Sequence, residues 1–227
     1  MPATLVEIPV QVPAGDAELE GNLVVPSDAR GIVLFAHGSG SSRFSPRNRF
    51  VAGQLRHWHL GTLLIDLLTA EEETVDERTR HLRFDIALLA HRLAGAAEWL
   101  AENRHTRGLP IGLFGASTGA SAALVAAATF PEPIGAVVSR GGRPDLAGPQ
   151  LRHVQAPTLL IVGGEDSVVI ELNRQAYRQL RCAKEMEIVP GATHLFEEPG
   201  ALETVARLAG NWFARWLPAV GPPEQRP

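Results

Sequence analysis

The sequence predicts an α/β fold: a mostly parallel sheet of about eight strands, an antiparallel N-terminal hairpin, helices on both faces and no cap domain. Short apolar segments alternate with segments of helical periodicity along most of the 227 residues, which is typical of a parallel sheet covered by helices. Several short segments are apolar at every position, as strands buried on both faces are. No repeat or linker divides the chain. We therefore expect one domain over residues 1–217, followed by a disordered, proline-rich tail over residues 218–227.

Each element has its own signal. Residues 5–12 and 18–25 alternate apolar and polar side chains, which predicts the hairpin. Further strands are predicted at residues 31–36, 62–67, 111–114, 134–139, 157–162 and 185–189. Helices are predicted at residues 46–57, 84–103, 120–130, 170–180 and 202–217. The first helix has Ser45 as its N-cap and Pro46 as its first residue. Residues 69–83 are polar and charged, and predict a loop with one helical turn. The short segment between Arg140 and Pro157 leaves no room for a helical lid.

One candidate nucleophile stands at a strand-to-helix junction. Residues 115–119 read Gly-Ala-Ser-Thr-Gly, a G-x-S-x-G match between a predicted buried strand and a predicted buried helix. Glycines two positions before and after Ser117 suit a tight turn that presents the hydroxyl above the sheet, because strand and helix pass close together there. The pentapeptide alone is weak evidence, and a glycine-rich turn without chemistry is the alternative.

A base and an orienting acid follow downstream. Asp166 comes after the strand predicted at residues 157–162, and His194 comes after the last predicted strand. A serine hydroxyl needs a base to take its proton, and the base needs a third group to orient it. The order Ser117, Asp166, His194 supplies these groups in loops at the carboxyl edge of the sheet. The alternatives are a packing or capping role for His194, an N-cap role for Asp166, and Glu165 as the acid in its place.

These motifs give the chain a resemblance to a known family. Residues 37–40 (His-Gly-Ser-Gly), 115–119, 163–166 (Gly-Gly-Glu-Asp) and 191–194 (Gly-Ala-Thr-His) resemble those of α/β-hydrolase-fold enzymes, specifically the small, lidless dienelactone-hydrolase-like group. The resemblance covers about residues 5–217. Dienelactone hydrolases proper have cysteine at the elbow, so Ser117 favours serine-esterase chemistry over action on dienelactone itself. The resemblance also implies an oxyanion hole made by the backbone N–H groups of Ser39 and Thr118, and we expect His37 to brace that loop.

A group of arginines is a second, weaker signal. Arg47 and Arg49 fall in the first turn of a predicted helix, where cations oppose the helix dipole. The simple explanation is solvent exposure, or salt bridges to Glu71, Glu72, Glu73 or Asp85. The functional alternative is an anion site in which Arg43 and Arg47, with Arg140 and Arg143 from another loop, bind a negative group near the scissile ester.

Composition excludes several classes of function. The net charge of −4 gives no support to nucleic-acid binding, and no apolar run is long enough to span a membrane. Cys182 is the single cysteine, which suits a reducing cytoplasm, and the first residues do not read as a signal peptide. We expect no cofactor and no metal. A homo-oligomer is possible but nothing in the sequence indicates one.

The sequence therefore predicts a serine hydrolase that cleaves an ester or thioester of a small substrate through an acyl-enzyme on Ser117. The alternatives are a C–C hydrolase, an acyltransferase or a perhydrolase using the same three residues, or a non-catalytic protein that binds a small ligand.

Overall fold

The computed structural model describes residues 5–217, and the tail predicted over residues 218–227 lies outside the described residues. Eight strands form one sheet: β1 (Ile8–Ala14), β2 (Ala17–Val24), β3 (Gly31–Ala36), β4 (Leu60–Ile65), β5 (Ile111–Ala116), β6 (Ile134–Arg140), β7 (Thr158–Gly163) and β8 (Lys184–Val189). Six α-helices surround it: α1 (Pro46–Arg56), α2 (Ala70–Thr79), α3 (Ile86–Glu102), α4 (Thr118–Thr129), α5 (Ser167–Gln179) and α6 (Ala201–Trp216).

The sheet has the predicted architecture. Its strand order is β1-β2-β4-β3-β5-β6-β7-β8. The first two strands pair antiparallel through a hairpin, β2 pairs antiparallel with β4, and all later pairs are parallel. Every residue of β3, β4, β5 and β7 is buried, as expected for largely apolar strands that are covered on both faces. The carboxyl ends of β5, β7 and β8 therefore share one edge, where the loops that follow them meet.

Two apolar layers flank the sheet. On one face, α3 and α4 pack over side chains such as Leu34, Leu113 and Leu160. On the other face, α1 and α6 pack over Phe35, Phe114 and neighbouring strand residues. Ser45 caps α1 by accepting a hydrogen bond from the Asn48 N–H, and Pro46 is its first residue, as predicted.

The prediction for residues 69–83 was wrong. Instead of a loop with one turn, the chain forms the ten-residue helix α2 and then a short 3-10 helix, Leu82–Phe84. Asp76 is the one buried residue of α2, so this helix has no apolar stripe that periodicity could reveal. It begins instead at a capping box, in which Thr69 and Glu72 each accept a hydrogen bond from the other's backbone N–H.

Strand β4 lies two residues earlier than predicted. Apolar residues resume at Leu67 after Asp66, but the Leu67 N–H donates to His37 Nε2 at 3.1 Å and makes no strand pairing. The segment between β6 and β7 contains no lid; Pro144–His153 forms short 3-10 turns interrupted at Gly148.

Candidate active site

Ser117 lies in the sharp turn between β5 and α4. Its backbone has φ 50° and ψ −119°, a left-handed conformation that is strained for a residue with a side chain. The flanking glycines are required by close approach. A Cβ on Gly115 would lie 2.4 Å from Ala120 Cα, and one on Gly119 would lie 2.3 Å from the Ala36 oxygen. This is the local geometry that the G-x-S-x-G pattern predicts.

Asp166 and His194 come together from the loops after β7 and β8. The His194 Nδ1–H donates to Asp166 Oδ2 at 2.6 Å. Asp166 precedes α5, but its side chain does not cap that helix, so its carboxylate is directed to the imidazole rather than to the helix. Because Nδ1 is engaged by Asp166, Nε2 is the ring nitrogen of His194 that has no hydrogen-bond partner within the described residues.

Ser117 and His194 line the same cavity, about 230 Å³ in volume. Within residues 5–217, Ser117 Oγ makes no hydrogen bond to His194 or to any other group. Hydrogen bonds between a nucleophile and its base are often long before substrate binds. The arrangement thus places an unengaged hydroxyl and an unengaged imidazole nitrogen on one small cleft.

The loop after β3 faces the start of α4. The Ser39 N–H donates to Thr118 Oγ1 at 2.9 Å, so one of the two predicted oxyanion donors already has an acceptor. The Thr118 N–H belongs to the first turn of α4, where backbone N–H groups have no acceptor within the helix. Both residues therefore lie next to Ser117, but they also contact each other.

His37 braces this loop, as its residue type led us to expect. Its Nε2 accepts from the Leu67 N–H, so the ring proton is on Nδ1 and is donated to the Gly38 oxygen at 2.9 Å. Burial lowers the pKa of His37. The ring is neutral in this arrangement, since a protonated Nε2 could not accept from Leu67.

The four predicted anion-binding arginines separate into two groups. Arg43 forms salt bridges with Asp66 and Glu20, and Arg143 with Asp145; neither lines the cavity that contains Ser117. Arg47 and Arg140 do line it. Arg47 Nη1 bonds Glu197 Oε1 at 2.9 Å, so its partner is none of the four acidic residues considered from the sequence.

Arg140 has an unusual environment for a cation. It is 7% exposed, and within the described residues its Nε and Nη1 have no hydrogen-bond acceptor. Burial, with a smaller contribution from nearby Arg47, lowers the pKa of Arg140 to about 10. The cavity wall thus holds a desolvated guanidinium that has no carboxylate partner among residues 5–217.

Some residues of the cavity were not anticipated. Asn48 and Leu195 line it, and Asn48 Oδ1 is buried without a donor within the described residues. A second cavity of about 400 Å³ lies against the other side of the 37–42 loop and is bordered by Thr118 and by Glu73 of α2. Burial raises the pKa of Glu73, and the nearby Asp66 and Glu77 carboxylates add to the effect.

Within residues 5–217, no three His, Cys, Asp or Glu side chains converge as metal ligands would. None of the helices that the structure describes is both long and apolar enough to cross a bilayer.

Comparison with known proteins gives a consistent family. The family model described as "Dienelactone hydrolase family" matches residues 68–216. A crystal structure of dienelactone hydrolase from Anabaena variabilis ATCC 29413 is 62% identical, covers 94% of this chain and 99% of its own, and superposes with a TM-score of 0.92. Est1E from Butyrivibrio proteoclasticus is 14% identical over 92% of this chain and 98% of its own, with a TM-score of 0.75, and so shares the fold.

A relative from Mycobacterium tuberculosis H37Rv has a different kind of name. It is 58% identical over 213 residues and is named, provisionally, a phosphoribosyl transferase. The match covers 94% of this chain but 47% of that protein. The chain therefore spans about half the length of the curated relative it matches.

Proposed function

Since this chain belongs to the dienelactone hydrolase family, we propose that it is a serine hydrolase that cleaves an ester or thioester of a small, anionic substrate. The observation that carries the proposal is the pairing of His194 with Asp166 at the cleft that also exposes Ser117. His194 and Asp166 are hydrogen-bonded and Ser117 lines the same cleft, and the three follow one another along the chain in an order that suits acyl transfer to serine.

The proposed reaction begins with attack of Ser117 Oγ on the substrate carbonyl carbon. The new C–O bond forms as His194 Nε2 takes the hydroxyl proton, and the carbonyl electron pair moves onto oxygen. When that pair returns, the bond to the leaving group breaks, and His194 protonates the departing oxygen or sulfur. Water then attacks the acyl-enzyme by the same steps. Asp166 holds the ring and stabilises its positive charge.

The anionic substrate is inferred from Arg140. A buried cation without a counterion is costly, and a substrate carboxylate would supply the missing acceptor for its N–H groups. Arg47 lines the same cavity and adds positive charge. Arginine binds phosphate as readily as carboxylate, so a phosphorylated ester belongs in any substrate panel.

The relative named a phosphoribosyl transferase gives no basis for phosphoribosyl transfer by this chain. The relative with that name is covered over 47% of its length, and a His–Asp pair beside a serine is the machinery of acyl transfer rather than of glycosyl transfer. A C–C hydrolase, an acyltransferase or a perhydrolase would use the same three residues. Product analysis with and without competing acyl acceptors separates these from simple hydrolysis.

The proposal is tested with a fluorophosphonate probe and a panel of esters and thioesters. We expect the intact protein to be labelled once per chain and Ser117→Ala to be unlabelled. We also expect Ser117→Ala to lose at least about 10³-fold in kcat/KM. An intact, folded protein that is neither labelled nor active on the panel would instead support a protein that binds a small ligand without catalysis.

A further inference from the structure

We infer that the side chain of Thr118 is an oxyanion donor: its hydroxyl donates to the developing oxyanion, and the Ser39 amide holds that hydroxyl in place. This inference rests on the proposed acyl transfer to Ser117. It reassigns the Ser39 N–H from direct contact with the substrate to support of Thr118, whose backbone N–H remains the other donor.

The first observation is the hydrogen bond between the two segments. The Ser39 N–H donates to Thr118 Oγ1 at 2.9 Å, across 79 residues of sequence. The oxygen of the hydroxyl is therefore an acceptor, while its hydrogen makes no hydrogen bond within residues 5–217. An amide that donates to a hydroxyl oxygen also polarises the O–H bond and makes it a better donor.

The second observation is the contrast with other helical threonines. Thr74, Thr79, Thr129 and Thr204 each donate the hydroxyl hydrogen to the carbonyl four residues earlier. This is the usual use of a threonine hydroxyl inside a helix. Thr118 is the first residue of α4, and the residue four positions earlier belongs to β5. The hydroxyl hydrogen of Thr118 therefore does not make the bond to a helix carbonyl that the other four threonine hydroxyls make.

The third observation is the rigidity of the surroundings. Thr118 is 4% exposed. A Cβ on Gly38 would lie 3.1 Å from Ser117 Cβ, so the loop that carries Ser39 is packed directly against the elbow. A donor held between two segments in contact needs little reorganisation when negative charge develops, which is the condition for effective oxyanion stabilisation.

The test compares three threonine variants on an ester that the intact protein cleaves. Thr118→Val keeps the shape and removes the hydroxyl, whereas Thr118→Ser keeps the hydroxyl. Thr129→Val makes the same change at the exposed end of the same helix and is the matched control. Rates are expressed per site titrated with fluorophosphonate, so that loss of folded protein does not count as loss of catalysis.

We expect Thr118→Val to lower kcat by about 10²–10³-fold, as removal of one oxyanion donor typically does, with little change in KM. Affinity for a boronic acid that forms a tetrahedral adduct on Ser117 should fall in parallel. Thr118→Ser should stay within about tenfold of the intact protein, and Thr129→Val should be unchanged.

Two results would overturn the inference while leaving the proposed function intact. Thr118→Val could be as fast as the intact protein or faster, which would mean that the hydroxyl merely blocks the Ser39 amide. It could also lose stability while keeping its rate per titrated site, which would mean a structural role alone. Failure of the proposed function is separately visible, because the intact protein would then not react with the fluorophosphonate.

Discussion

Arg140 is a cation in a place where a folded protein rarely leaves one unpaired. It is the last residue of β6, lines the cleft beside Ser117 and has two nitrogens without acceptors within the described residues. Arg143, in the loop that follows, is paired with Asp145 through two hydrogen bonds of 2.9 and 2.8 Å. The two side chains are close in sequence and carry the same charge. Comparing a substitution of each therefore separates loss of substrate binding from a general change in electrostatic potential.

We predict that Arg140→Gln selectively impairs hydrolysis of a negatively charged ester. A hydrogen bond to a charged group contributes about 1.5–3 kcal/mol, so kcat/KM for a carboxylated ester should fall by about 10- to 100-fold. The matching neutral ester should be unaffected, and so should both esters with Arg143→Gln. Steady-state kinetics on the two esters provides the measurement. Equal losses on both esters, or equal losses from both variants, would remove the anion site from the proposal.

The residues of the site differ in how far sequence could predict them. Ser117, Asp166 and His194 belong to local motifs at strand ends. In a parallel sheet the carboxyl ends of the strands lie at one edge, so the loops that carry these residues are expected to be neighbours. The partners of the arginines could not be predicted in the same way. Arg47 pairs with Glu197, 150 residues away, and only the folded chain brings the two together. The Ser39–Thr118 hydrogen bond could not be predicted either, since nothing in the sequence around one residue points to the other.

At the scale of elements, α2 is held by polar contacts rather than by a buried apolar face. Glu72 accepts from Arg92 of α3, which lowers the pKa of Glu72, and the buried Asp76 pairs with Arg83. These contacts position one wall of the second cavity. A helix of this kind depends on its N-terminal cap more than an amphipathic helix does, because packing contributes little to it.

We therefore predict that Thr69→Ala destabilises α2 locally. Loss of an N-cap side chain typically costs about 0.5–2 kcal/mol. Amide hydrogen exchange in the first turns of α2 should become faster, while protection in the central strands is maintained. Thr69→Ser retains an acceptor oxygen and should exchange like the intact protein. Identical protection in the alanine and serine variants would show that the capping box is not what maintains this helix.

The helices and strands also differ in how far the sequence could predict them. Buried strands and amphipathic helices could be predicted from sequence because burial imposes a pattern on their residues. Helix α2 lacks that pattern, and its one available signal was the Thr69-x-x-Glu72 capping box. The end of β4 was misplaced for a related reason: apolar residues resume at Leu67 after Asp66, but the Leu67 N–H donates to the ring of His37.

For the whole molecule, the question is whether the two apolar layers unfold together. Leu93 of α3 and Leu55 of α1 are both fully buried, and they lie in opposite layers. The strands between the layers are shared, since β3 and β5 contribute side chains to both. Trp99 packs against the α3–α4 layer, and Trp58, Trp212 and Trp216 belong to the α1–α6 layer. Tryptophan fluorescence therefore reports mainly on one layer, whereas far-UV circular dichroism reports on the whole fold.

We predict that Leu93→Ala and Leu55→Ala each lower the free energy of unfolding by about 2–5 kcal/mol. Because the shared strands couple the layers, each variant should shift the urea midpoint equally by fluorescence and by circular dichroism, with an unchanged m-value. The two losses should add in the double variant, since the sheet separates the sites. If the layers were independent units, Leu55→Ala would instead shift the fluorescence transition away from the circular dichroism transition, and the single domain expected from the sequence would have to be divided.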